Sequence, residues 1–285
     1  MIKNISLCYH ILINAISHYW RGDGSAFASH VALSGLLAFF PFFIFGTFLA
    51  GFIGAFTYTP QKIAALVQLL PDAITEPLMK EIINVLTIQR RDVLTLSVFG
   101  AAYFSSNGIE ALRTALNKAY RVVDYRSFVF CRFQSLFFVM IGAIGLVIIS
   151  FSLVLAPVLV KMMQQHSPFI TEYVGVIRLW RYTIAMIVSL ISLLIVHKWL
   201  PAGKRKLINI LPGIVVTMFA WFLASMAFAH YLNLTMLNYV STYAGLASIM
   251  VAIIFLYMLS AIFILGGEIN AAIMLYRDRL QHSNE

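Results

Sequence analysis

The chain has 285 residues, of which 61% are hydrophobic and only 11% charged, with a mean hydropathy of +0.88. An ordinary soluble domain carries about a quarter charged residues, so there is too little charge here to wet a surface of this size, and disorder, a coiled coil and a disulfide scaffold are excluded as well. The net charge of +9 then reads as membrane topology and contact with anionic headgroups rather than nucleic-acid binding, and the two isolated cysteines, Cys8 and Cys131, suggest neither a metal framework nor a disulfide fold.

Residues 1–24 are too interrupted by polar positions to be a cleavable signal and lack a small-residue cleavage site. Ile5, Cys8, Tyr9, Leu12, Ile16, Tyr19 and Trp20 recur at helical spacing, with Lys3, His10, Asn14, Ser17 and Arg21 opposite. That pattern predicts an amphipathic helix lying at the membrane interface, broken at Gly22-Asp23-Gly24-Ser25.

Six apolar segments follow, near 27–56, 93–113, 133–160, 182–200, 210–232 and 243–267. Each approaches the length of about 20 residues that a helix needs to cross the hydrocarbon core. None alternates like a barrel strand, so the fold class is all-α: a membrane helical bundle of six spans. Pro41 predicts a kink in the first span, whereas Pro201 and Pro212 mark the end of the fourth and the opening of the fifth. Between the first two spans, 57–92 reads as an extracytoplasmic helical hairpin. Its first arm starts at Thr59-Pro60 and stops at Pro71, and its second starts at Thr75. The whole of 1–285 is expected as a single membrane domain.

Placing the N-terminus inside puts thirteen of the 20 Lys+Arg on cytoplasmic segments, among them Arg113, Lys118, Arg121, Arg126 and Arg132 between the second and third spans. This bias predicts both termini in the cytoplasm. Trp180, Trp199, Tyr231 and Tyr243, near span ends, read as interfacial anchors.

Soluble-enzyme motifs are absent: there is no phosphate loop, no HExxH and no GxSxG elbow. His30 and His230 lie in or beside spans, where a lone histidine is more often a packing residue than a ligand. No metal site and no cofactor are predicted. The informative residues are ionisable groups at membrane depth, because a carboxylate there is costly and marks a site by default. Two acids qualify, Glu110 and Glu268. Ser106, Glu110, Arg113 and Asn117 share one helix face, beside Asn107, and make a polar stripe running from inside the membrane to its cytoplasmic side. Glu268 and Asn270 close the sixth span, so the two acids are expected to line a shared water-filled vestibule. The competing reading is structural: Glu110 paired with Arg113 or Arg121, and Glu268 with a basic loop residue.

Together the motifs resemble the YihY/BrkB family of bacterial inner-membrane proteins, once labelled ribonuclease BN. The matching stretches are 32–41 (ALSGLLAFFP), Gly108 with Ala115-Leu116-Asn117-Lys118-Ala119-Tyr120, Leu211-Pro212-Gly213 with Trp221, 243–248 (YAGLAS) and 265–271 (LGGEINA). Their order and spacing carry the resemblance more than any single one. Ala244 departs from it, since the family more often runs Tyr directly into Gly. The resemblance implies six spans in an inner membrane, links to virulence and the cell envelope, and no established catalytic residue. The expected function is a translocator of a lipid-like or other envelope substrate. Its partners would be membrane lipids, including an anionic lipid or lipid-linked substrate, and not nucleic acid. The alternative is a non-transporting scaffold in envelope assembly. A membrane enzyme is the weakest reading, because converging acid and base groups are too sparse. The oligomeric state is not legible.

Overall fold

Backbone amides facing hydrocarbon must be paired within their own segment, so long apolar runs fold as helices. The computed structural model describes residues 2–57, 91–150, 152, 160, 170–243 and 246–282, and the regular structure among them is entirely helical. In chain order the helices are α1 (Ile2–Arg21), α2 (Gly24–Thr57), α3 (Arg91–Ala119), α4 (Phe128–Ser150), α5 (Ile170–Trp199), α6 (Leu207–Tyr243) and α7 (Ala247–His282).

Among the described residues, four helices contain stretches long and apolar enough to cross a membrane: 128–146, 175–199, 207–235 and 249–279. Among the described residues the apolar stretch of α2 is Gly24–Phe39. The expected amphipathic helix, a helix at each of the six expected spans and the all-α class are therefore present, while the hairpin expected over 57–92 falls almost wholly outside the described residues. The helices overrun the expected spans at several ends. Thus α5 starts at Ile170 rather than 182, and α7 runs from Ala247 to His282 rather than from 243 to 267. A helix does not stop where the hydrocarbon does, because polar flanking turns remain hydrogen-bonded in the headgroup region.

One expectation is corrected. Pro212 does not open its helix but lies inside α6, which begins at Leu207 with the Asn209 N–H donating to the Lys206 carbonyl at 3.0 Å. Proline has no N–H to give to the preceding turn. The next N–H, of Gly213, donates to Asn270 Oδ1 on α7 at 2.7 Å. The side chain of one helix thus serves the backbone of the other at the proline. Gly213 faces Gly266 across this crossing, and a Cβ on either would collide with its neighbours.

The N-terminal helix turns sharply into α2. The Gly22 N–H donates to the His18 carbonyl at 2.7 Å, Asp23 adopts a left-handed φ of 59°, and its carbonyl accepts from the Phe27 N–H at 3.0 Å. Gly24 has no room for a Cβ because the Tyr19 ring lies against it. Helix α1 rests on α7 through Ile11 and Ala15, which pack with Ile269 and Ala272. The aromatic and aliphatic side chains expected on its apolar face (Tyr9, Leu12, Ile16 and Trp20) are exposed, as a membrane-facing surface would be. Trp180, Trp199 and Tyr231 are also exposed.

Helix α3 packs along α2, touches α4 and meets α7. Ala111, Ala115 and Ala119, spaced four apart and buried, allow this close approach. The main core gathers at one end of the bundle: Leu116 and Tyr120 of the α3 end, Leu193 of α5, Ile210 and Ile214 of α6, and Phe263 and Ile264 of α7. The α3 terminus closes in a Schellman motif. The Val122 N–H donates to the Asn117 carbonyl and the Arg121 N–H to that of Lys118. The residue at the left-handed position, normally glycine, is Arg121 with φ 58°.

Candidate functional site

Three polar groups lie around the α3 terminus. In the first, Glu110 on α3 is clasped from both sides. Arg113 Nη2 donates to its Oε1 at 3.1 Å, and Arg132 Nη1, from the first turns of α4, pairs with its Oε2 at 2.8 Å. Arg132 Nη1 also donates to Ser106 Oγ at 2.7 Å and Asn107 Oδ1 at 3.0 Å. Its guanidinium lies 3.9 Å from the centre of the Tyr103 ring. Arg113 Nε stands 3.8 Å from Asp124 in the α3–α4 loop.

Asp124 anchors the loop. It accepts a fork from Arg126, Nε to Oδ1 and Nη2 to Oδ2, both at 2.7 Å, and a further bond from Asn117 Nδ2 at 3.0 Å. The Arg126 hydrogen bonds hold the Asp124 carboxyl well below the usual range, and the same pairing raises Arg126. Arg126 also donates to the Leu200 carbonyl, while Asn117 Oδ1 accepts from the Ala202 N–H at 2.7 Å. The loops after α3 and α5 are thereby tied together.

The second group is centred on Glu268 of α7, which is buried. Its Oε1 lies 2.8 Å from His18 Nδ1 of α1, and its Oε2 faces Arg121 at 3.7 Å. Arg121 Nη2 donates to Asn14 Oδ1 at 3.0 Å. Helix α1 is thus fixed to the bundle by charge as well as by apolar contact. Removing one partner of such a buried pair typically costs about 3–5 kcal/mol, less where water reaches the other, as it does His18 here.

The third group is fully internal. Asn270 accepts from Gly213 and donates from Nδ2 to the Tyr120 hydroxyl at 3.2 Å, and that hydroxyl lies 2.8 Å from His197 Nδ1. Burial holds the Tyr120 phenol up at about 12, while Arg205, 4.0 Å above its ring, is pushed down by burial.

Of the residues singled out in the sequence, Ser106, Asn107, Glu110, Arg113 and Asn117 do come together, joined through Arg132 and Asp124. Glu268 and Asn270 do not join them in one vestibule: Glu268 is turned to α1 and Arg121, and Asn270 to α6 and Tyr120. No hydrogen bond or ion pair links Glu268 to Glu110 among the described residues. Sequence reasoning missed Arg132 and Arg126, counted only as topological charge, and also Asp124, His18, Tyr120 and His197. The one signal for them was Asp124, an acid in a segment otherwise basic. His30 and His230 are exposed, and among the described residues no three His, Cys, Asp or Glu side chains converge to hold a metal.

Over residues 15–285 the chain matches the family described as virulence factor BrkB. It is similar to a protein of Bacillus subtilis (strain 168), YfkH, whose name describes it as ribonuclease-like, with 28% identity covering 90% of this chain and 92% of the relative. No solved structure matches it. With long apolar helices built around the motifs at 108–120, 211–213 and 265–271, the chain is an integral membrane protein and belongs to the BrkB family.

Proposed function

We propose that this protein translocates a lipid-like or other cell-envelope substrate across the inner membrane, spanning it six times with both termini in the cytoplasm. The observation that carries the reading is the Glu110–Arg113–Arg132 group. It sets two arginines and a carboxylate on α3 and α4, helices that span the membrane in this reading, next to side chains exposed on the bundle's outside. Ionisable groups at that depth are kept at a cost, and a pathway for a charged headgroup is what they fit. Ser106, Asn107 and Asn117 extend the polar lining.

A scaffold in envelope assembly is the second reading. It is favoured by the ion pairing itself, since Glu110 and Glu268 are both engaged as locks. A nuclease reading, suggested by the name of the Bacillus relative, has less support, because Glu110, Asp124 and Glu268 are each occupied by guanidinium or imidazole rather than turned to a common point.

The test is reconstitution into liposomes with a fluorescent phospholipid, comparing the unaltered chain with Glu110→Gln and Glu268→Gln. Protein-dependent lipid movement that falls in folded variants is expected. Movement unchanged from that of the unaltered chain in both folded variants makes the acids structural, and no movement of any lipid or lipid-linked substrate turns the balance to the scaffold.

A further inference from the structure

Buried donors without acceptors are rare in folded proteins, and each one calls for a partner. At the α3–α4 contact two of them belong to arginines that already share Glu110. Arg113 Nη1 and Arg132 Nε are buried and unpartnered, and so is the Ser135 hydroxyl, one turn along α4 from Arg132. Arg113 keeps about a tenth of its side chain exposed and Arg132 little more, whereas Glu110 between them is 28% exposed. The three guanidiniums of Arg113, Arg126 and Arg132 face the two carboxylates of Glu110 and Asp124. One positive charge is therefore left over in a poorly hydrated place.

We propose that Arg113 and Arg132, set on either side of Glu110, bind the phosphate of an anionic lipid headgroup that arrives from the bilayer side of α4. The guanidinium fork matches phosphate oxygens, and a phosphodiester would supply both the missing acceptors and the missing negative charge. The approach is apolar: Tyr103, Phe128 and Phe133 are exposed around Arg132, whose guanidinium lies 5.6 Å from the Phe128 ring centre. Acyl chains can lie on such a surface, and a freely dissolved phosphate ion gains nothing from it. The inference deepens the translocator reading by naming the headgroup chemistry, but binding at this site does not require transport.

The full-length chain in detergent is titrated with phosphatidylglycerol and with diacylglycerol, which has the same tails and no phosphate, and bound lipid is counted by native mass spectrometry. Phosphatidylglycerol is expected to bind about tenfold more tightly, with Arg113→Gln and Arg132→Gln each abolishing that preference and the distant Arg181→Gln leaving it intact. If Arg132→Gln does not fold, Arg132→Lys keeps the charge but loses the fork, and a several-fold loss is expected. Equal binding of the two lipids, a preference that survives in folded Arg132→Gln, or one that is undiminished in Arg132→Lys, overturns the site. Displacement of phosphatidylglycerol by millimolar inorganic phosphate overturns the lipid as its source. Headgroup binding without lipid movement in liposomes sinks the translocator reading alone, whereas movement without phosphate preference sinks this site alone.

Discussion

A methyl group added at Gly213 tests the α6–α7 crossing directly. A Cβ built there stands 2.5 Å from Asn270 Oδ1 and 2.6 Å from its Cγ, and closer still to the Gly266 carbonyl oxygen, whereas ordinary contact begins near 3.4 Å. None of these atoms is the free end of a flexible chain, so the helices must part by about 1 Å in an interior packed too densely to absorb it. Overpacking of this kind costs about 1–3 kcal/mol. Parting the helices also breaks the buried Gly213–Asn270 bond, worth about 1–3 kcal/mol when its groups are left unsatisfied. Alanine's better helix propensity returns up to about 1 kcal/mol. Gly213→Ala should therefore destabilise the chain by about 1–6 kcal/mol. Unfolding can be followed in mixed micelles by the reactivity of Cys131, a buried free thiol, in a Cys8→Ser background. Gly142→Ala is the control, since nothing lies within 4 Å of a Cβ there. If Gly213→Ala unfolds at the same point as Gly142→Ala, the crossing is not held as described.

Other variants probe the loop and the N-terminal latch. Arg121→Gly and Arg121→Ala lose the same side chain, but only glycine relaxes the left-handed φ of 58°, so the glycine variant should be more stable by about 1 kcal/mol in the same assay. Because the Asp124 carboxyl is held below its ordinary value of 3.8, the unfolded chain takes up that proton first as pH falls. The stability Asp124 contributes is therefore complete above pH 3.8 and is lost below it. The gap between the unaltered chain and Asp124→Asn should be constant near neutrality and close only in strong acid. His18→Ala should loosen α1 from α7, read as a broadened distance distribution between spin labels on the two helices, while the Glu110 group is left unaffected.

Hydropathy made the helices legible because the bilayer leaves the backbone no alternative, and a helix is found at every expected span. Helix ends were less legible: the proline signal misplaced the start of α6, since Asn270, 57 residues away, accepts the hydrogen bond that makes an internal Pro212-Gly213 tolerable. The polar stripe at 106–117 was legible because one helix face carries it, and a 3.6-residue period can be read from sequence alone. Its completion was not. Arg132 belongs to the next helix, and its meeting with Glu110 depends on how the 120–127 loop turns.

That turn is set by chemistry no periodicity encodes. An arginine occupies the left-handed position, and an aspartate is gripped by the arginine two residues on. The same loop decides which acid meets which base. Arg121, which the sequence offered as one partner for Glu110, is carried past the end of α3 by the Schellman turn and reaches Glu268 and Asn14 instead. Glu110 is thereby left to Arg113 and Arg132, and the positive charge that remains lies on the side of α3 facing α4, away from the N-terminal helix. The geometry of the eight-residue 120–127 loop therefore separates a latch on α1 from the Glu110–Arg113–Arg132 group, and exchanging the residue at 121 should disturb the first without dispersing the second.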